Sequence, residues 1–202
     1  MRRRTVIAAG WSLLASVGLA GCQFLGLGPD SSEFHLEAEP VTESEICEQA
    51  TERLEVLGPP EEDAAKRVIA GEDSAIVDFT GRKELYLEGQ DRYHHVEIRH
   101  RDGADDYQLS LVASVDTREA ICEIVLDDLV AQIDQSTTNQ TVREVLRQAA
   151  ANGQFEAAPI NESAAETYRF VSGLTVDRGF HPIYIRIDSE YYELDYQYDS
   201  GE

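Results

Sequence analysis

The sequence predicts an α+β fold, an antiparallel sheet with helices packed on one face, built from two fused strand–helix–helix–hairpin repeats. Three observations carry this. Short segments alternate apolar and polar residues with the period of half-buried strands. Between them lie stripes at helical spacing, two of them opened by a capping signal at Thr42 and Thr117. And the chain matches itself without a gap: residues 34–48 set against 109–123 align Leu36 with Leu111, Ala38 with Ala113, Thr42 with Thr117 and Ile46-Cys47-Glu48 with Ile121-Cys122-Glu123. With 42% hydrophobic residues, the chain can bury a core and is not of the disordered class.

In chain order, Phe34 to Glu39 alternates as a strand. Thr42-Glu43-Ser44-Glu45 has the form of a capping box. Ile46, Ala50, Leu54 and Leu57 follow at helical spacing, which predicts a helix over 43–57, part of which could instead be strand. Gly58-Pro59-Pro60 breaks the chain and opens a second helix that ends at Gly71, a left-handed cap. Residues 75–79 read as a short strand, and 93–101 with 107–115 as a hairpin around Asp102-Gly103-Ala104-Asp105-Asp106. That acidic connection lacks the length and ligand pattern of a calcium loop and reads as a turn.

Thr117 opens a stripe of Ile121, Val125, Leu129 and Ile133; Val142, Leu146 and Ala149 mark another helix, closed by Asn152-Gly153. Residues 171–176 read as a strand, and 182–188 with 191–198 as a closing hairpin. The self-match extends by aligning His94, Ile98 and Arg99 with His181, Ile185 and Arg186, and Tyr107 and Leu109 with Tyr192 and Leu194. This gives a first repeat over 34–116 and a second over 117–199.

The start of the chain indicates where the protein resides. Arg2-Arg3-Arg4 precedes an apolar run from Val6 to Leu19, shorter than the roughly 20 residues that span a bilayer, so the layout is that of an export signal. It ends in Leu19-Ala20-Gly21-Cys22, which resembles the lipobox of prokaryotic lipoproteins. The resemblance implies a signal peptide over 1–21, cleavage before Cys22 and a lipid on its thiol. Arg3-Arg4-Thr5-Val6-Ile7 resembles the twin-arginine export pattern. Residues 22–33 would be a flexible tether, of which the eleven from Gln23 to Glu33, rich in Gly, Pro and Ser, reach at most about 35 Å.

Three of the 17 basic residues and none of the 39 acids precede Cys22, so the chain from Cys22 carries 14 bases against 39 acids, net −25. Such a chain repels itself in dilute salt and much less near 1 M, where the Debye length is about 3 Å. The charge disfavours nucleic acid as a partner. Spread acidity, only two lysines (Lys66 and Lys83), the leader and the repeat together resemble uncharacterised lipoproteins of salt-loving archaea. That group supplies no activity to carry over. It implies a cell-membrane location on the extracytoplasmic face.

Cys47 and Cys122 occupy matching places in the two repeats. Either they are two small buried residues or, outside the membrane, they form a disulfide; the disulfide is the expectation. Asn139-Gln140-Thr141 and Asn161-Glu162-Ser163 make Asn139 and Asn161 candidate glycosylation acceptors. The histidines His35, His94, His95, His100 and His181 show no tight ligand spacing, so no metal and no cofactor is assigned. No catalytic motif is present, and Tyr192, Leu194, Tyr196 and Tyr198 read as one packing face of a strand. The expectation is a non-catalytic envelope module that binds a protein or a glycan. A carrier feeding a transporter, or a hydrolase with an unrecognised carboxylate site, is the alternative.

Overall fold

The computed structural model of the chain describes residues 32–78, 82–136, 138–178 and 182–200. The leader, Cys22, most of the tether, Phe79 and His181 lie outside them. The chain runs β1 (Glu33–Val41), α1 (Glu43–Ala50), β2 (Thr51–Arg53), α2 (Pro59–Ile69), β3 (Ala75–Val77), β4 (Glu84–Gly89), β5 (Arg92–His100), β6 (Tyr107–Val115), α3 (Arg118–Leu129), β7 (Val130–Gln132), α4 (Gln140–Asn152), β8 (Gln154–Ala157), α5 (Glu162–Arg178), β9 (Ile183–Ile187) and β10 (Glu190–Asp199).

The α+β content holds, with most strand pairs antiparallel. The single sheet does not. Ten strands form two five-stranded sheets, ordered β7-β9-β10-β1-β8 and β2-β4-β5-β6-β3. In each, one short strand adds in parallel: β2 to β4, with Thr51 opposite Tyr86, and β7 to β9, with Val130 opposite Tyr184. Helices also meet both faces of the sheets. α4 and α5 cover one face of the first sheet over Phe34, Leu36, Ile185 and Leu194, and α2 covers one face of the second over Leu87, Val96 and Leu109. A third cluster joins α1 and α3 to Tyr86 of β4 and Tyr184 of β9. The physical reason is in these strands: β4 and β9 hold three consecutive buried residues each. Helices on one face alone would leave alternate apolar side chains in water.

Local signals mostly do their work. Thr42 and Glu45 close the capping box of α1, and Thr117 caps α3. Gly71 and Gly153 adopt positive φ, 107° and 80°, where a Cβ is strained. The predicted helix over 43–57 stops at Ala50, because the next three residues pair with β4 and Leu54–Val56 forms one 3-10 turn. The predicted strand over 171–176 belongs to α5 instead. Asn161 caps that helix, and Ala164, Thr167 and Val171 form its buried stripe, so helical spacing overrides β-branched propensity. β4 and β8 went unrecognised in the sequence.

The second hairpin stands as β9–β10, but its counterpart by position is β4–β5, not β5–β6. Both hairpins turn through two residues of positive φ, Gln90-Asp91 and Asp188-Ser189, the backbone of a tight hairpin turn. β6 lies beside β5 in one sheet, and β1 lies beside β10 in the other. The N-terminal strand is therefore central, paired with both β10 and β8, with Phe34, Leu36 and Ala38 at most 1% exposed. The chain is already fixed at Ser32, whose carbonyl accepts from the Ile160 amide at 3.0 Å, one residue before the expected end of the tether. No helix among the described residues is long and apolar enough to cross a membrane.

Candidate functional site

α1 and α3 pack side by side between the two sheets, and the Cys47–Cys122 disulfide ties them together with Cα atoms 5.3 Å apart. Cys47 is fully buried, while Cys122 opens onto a shallow concavity of about 430 Å³ that also touches Arg118, Glu123 and Leu126. Arg118 is shared with a second concavity of about 360 Å³ bounded by Tyr93 and Arg53. Glu123 and Leu126 are shared with a third of about 250 Å³ bounded by Tyr191 and Arg186. The shared residues make these three adjoining concavities along the helix pair, with Tyr93 bordering one and Tyr191 another. At one end the Arg186 guanidinium lies over the Tyr191 ring at 5.3 Å, and the Tyr191 hydroxyl donates to Glu43 at 2.8 Å.

Beneath this helix layer two buried tyrosines reach polar partners. The Tyr184 hydroxyl donates to the Gln49 side-chain oxygen at 2.6 Å. Burial and the nearby Glu193 push its phenol up to about 12. Glu193, opposite Tyr184 on β10, is itself raised by burial and by Glu39, with a Gln49 hydrogen bond pulling back.

Tyr86 is placed alike but surrounded differently. Its hydroxyl lies 2.7 Å from Glu84 Oε2 and 3.1 Å from Asp128 Oδ2. Burial first, then these carboxylates, drives its phenol far up, so it stays a donor. Opposite it on β5 is His95, stacked on the Tyr86 ring at 4.8 Å. His95 Nε2 stands 2.9 Å from Glu84 Oε2 and 3.7 Å from Asp128 Oδ2. Burial and the Glu84 charge raise the Asp128 carboxyl, with His95 and the Tyr86 hydroxyl opposing. Glu84, His95 and Asp128 each offer one ligand atom, all within 4.8 Å of one another.

The other residues singled out in the sequence fall elsewhere. Asn139 and Asn161 are exposed caps of α4 and α5, accepting from the amides of Thr141 and Ala164. His94 is buried between Ser114 and the Gly89 carbonyl, and burial lowers its pKa. His35 bridges Glu37 and Glu156 on the surface. Tyr192, Leu194 and Tyr196 pack in the first core, and the exposed Tyr198 stacks on Tyr168 at 4.4 Å. His95 is among the histidines singled out in the sequence, whereas Glu84 and Asp128 are not. They lie 11 and 33 residues from it, on an unrecognised strand and on a helix.

Comparison with protein-family models, characterised proteins and solved structures finds no match to the chain.

Proposed function

We propose that the chain is a lipid-anchored, salt-adapted extracytoplasmic binding module, non-catalytic, that holds a glycan or a segment of another envelope protein. The observation that carries the binding reading is the run of three adjoining concavities over the disulfide-linked helix pair, bordered by Tyr93 and Tyr191, which we read as one groove. Tyrosine faces with carboxylates and arginines between them suit hydroxyl-rich or neutral polar ligands, and the excess of acids repels anionic ones. The groove is open and shallow, unlike the enclosed pockets that take small molecules, which favours a module over a carrier or hydrolase.

Anchoring rests on Leu19-Ala20-Gly21-Cys22, and the twin-arginine pattern assigns export in the folded state. The disulfide supports a location outside the reducing cytoplasm. Salt adaptation draws support from the β1–β10 register, which sets Glu33 against Asp199, Glu37 against Asp195 and Glu39 against Glu193. Like charges directly opposite destabilise a sheet and are relieved by screening. Asn139 and Asn161, exposed at helix starts, are read as glycosylated.

The two fused repeats belong to this reading. The two strand orders correspond position for position if β2, β4, β5, β6 and β3 match β7, β9, β10, β1 and β8. On that reading β1 and β6 correspond, so the two repeats divide between β5 and β6 instead of at residue 116, each lends its first strand to the other's sheet, and Cys47 and Cys122 meet at the pseudo-twofold.

The test is site-specific photo-crosslinking in envelope membranes at molar salt. A crosslinker at Arg118 or Glu123 should capture a discrete glycan or protein adduct, and one at Glu62 on α2 should not. Equal capture at all three sites, or none, contradicts the groove as the ligand surface. Cys22→Ser should shift the chain from the membrane to the soluble fraction or leave it as precursor; unchanged membrane fractionation at mature size contradicts the anchor.

A further inference from the structure

We propose that Glu84, His95 and Asp128 bind one divalent first-row transition-metal ion. The donors come from three separate elements: β4, β5 and the end of α3. Ligands at about 2.0–2.2 Å from a common ion stand about 3.3–3.6 Å apart in a tetrahedral arrangement. The present spread of at most 4.8 Å therefore closes with a shift of about 1.2–1.5 Å. The two carboxylates, with side-chain exposures of 31% and 35%, make that shift. The imidazole, 8% exposed, is already fixed by its stack on Tyr86. One imidazole nitrogen and two carboxylate oxygens suit manganese-to-zinc ions better than the all-oxygen preference of magnesium or calcium.

Electrostatics points the same way. Asp128 and its neighbour Asp127 occupy the last turn of α3, where no basic residue stands. Carboxylates at that negative helix end are disfavoured, and a cation there relieves both them and Glu84. Tyr86, donating to either carboxylate, is placed to orient them from behind, as outer hydrogen bonds do around metal ligands. His95 ligates through Nε2 as the Nδ1–H tautomer, giving up its present contact with Glu84.

The place occupied by Tyr184 supports the same site independently. There the residue opposite the tyrosine is Glu193 instead of His95, and the phenol meets the Gln49 amide instead of Asp128. That site is packed and hydrogen-bonded with a neutral partner. Burying a tyrosine at this position in the fold therefore does not demand a histidine and two acids.

The test is calorimetric titration of the full chain, stripped with chelator and held in 2 M potassium chloride to suppress diffuse ion binding, with Zn²⁺ and separately with Mn²⁺. Wild type should take one equivalent of at least one of the two ions. H95Q and D128N should weaken that binding at least tenfold, and H35Q and E193Q should leave it unchanged. A cooperative melt of each variant in chelator establishes that it is folded; D128N, which keeps an acceptor for Tyr86, decides if H95Q is not. The proposal is overturned if wild type shows no saturable binding of either ion, if folded D128N binds as wild type does, or if H35Q abolishes binding.

Discussion

Tyr86 lies between Thr51 on a parallel strand and His95 on an antiparallel one; Tyr184 lies in the same way between Val130 and Glu193. Both are 1% exposed and both enter the cluster around α1 and α3. Each phenol reaches a side chain near the end of the helix that feeds the other sheet's parallel strand, Asp128 for Tyr86 and Gln49 for Tyr184. From there the chemistry separates. A neutral amide completes one site, whereas two carboxylates and a buried imidazole crowd the other. The geometry common to both sites is what packing requires, and the difference marks the residues left over for another role.

The largest expected effect probes what the two sites share. The disulfide lies between them and closes a loop across 75 residues. In the chain-entropy account, replacing both cysteines by alanine should cost about 4 kcal/mol, read as a lowered urea midpoint at fixed molar salt. Little or no change in the midpoint would show that the helix pair holds the sheets together unaided.

Single hydroxyl deletions sharpen the contrast. Y86F removes a donor to charged acceptors and should cost about 2 kcal/mol; Y184F removes a bond to a neutral amide and should cost about 1 kcal/mol. Urea denaturation in chelator compares them, and the reverse order would mean that the Tyr86 carboxylates are satisfied without it.

The smallest effect is a pH dependence at the Tyr184 site. Glu193 has its carboxyl raised by burial and by Glu39 opposite. A carboxyl raised in the folded state favours folding while protonated, fully so below the unfolded value of about 4.3, and that contribution is lost as pH rises through the folded value. E193Q should therefore match wild type in acid and melt about 1–2 °C higher at neutral pH, a small shift because the group is only partly buried. Molar salt should shrink the gap. A gap that widens in acid contradicts the assignment.

Much of the fold was legible in the sequence because its signals are local. The caps Thr42 and Thr117, Gly71 and the alternation in β1 each depend on a few neighbouring residues, and the cysteine pair is marked by the match between the two short segments that hold it. The parts that were missed depend on long-range contacts. β4 is buried on both faces and shows no alternation, β2 and β7 exist only through parallel partners, and α5 carries β-branched residues that packing made helical. The paired sheets follow from where β1 goes, which no residue in β1 announces. The groove and the Glu84–His95–Asp128 cluster are likewise assembled from distant segments, so only the histidine drew notice, and its strand neighbours gave no ligand pattern.

The contrast between the two tyrosine sites is tested most directly by Mn²⁺ line broadening in the amide spectrum of the chain carrying Cys22→Ser, in molar potassium chloride. At a few hundredths of an equivalent, the signals around Glu84, His95 and Asp128 should be lost selectively, while those around Glu193, Gln49 and His35 persist. Broadening centred on Glu193 or His35, or spread evenly over the acidic surface, would contradict that contrast.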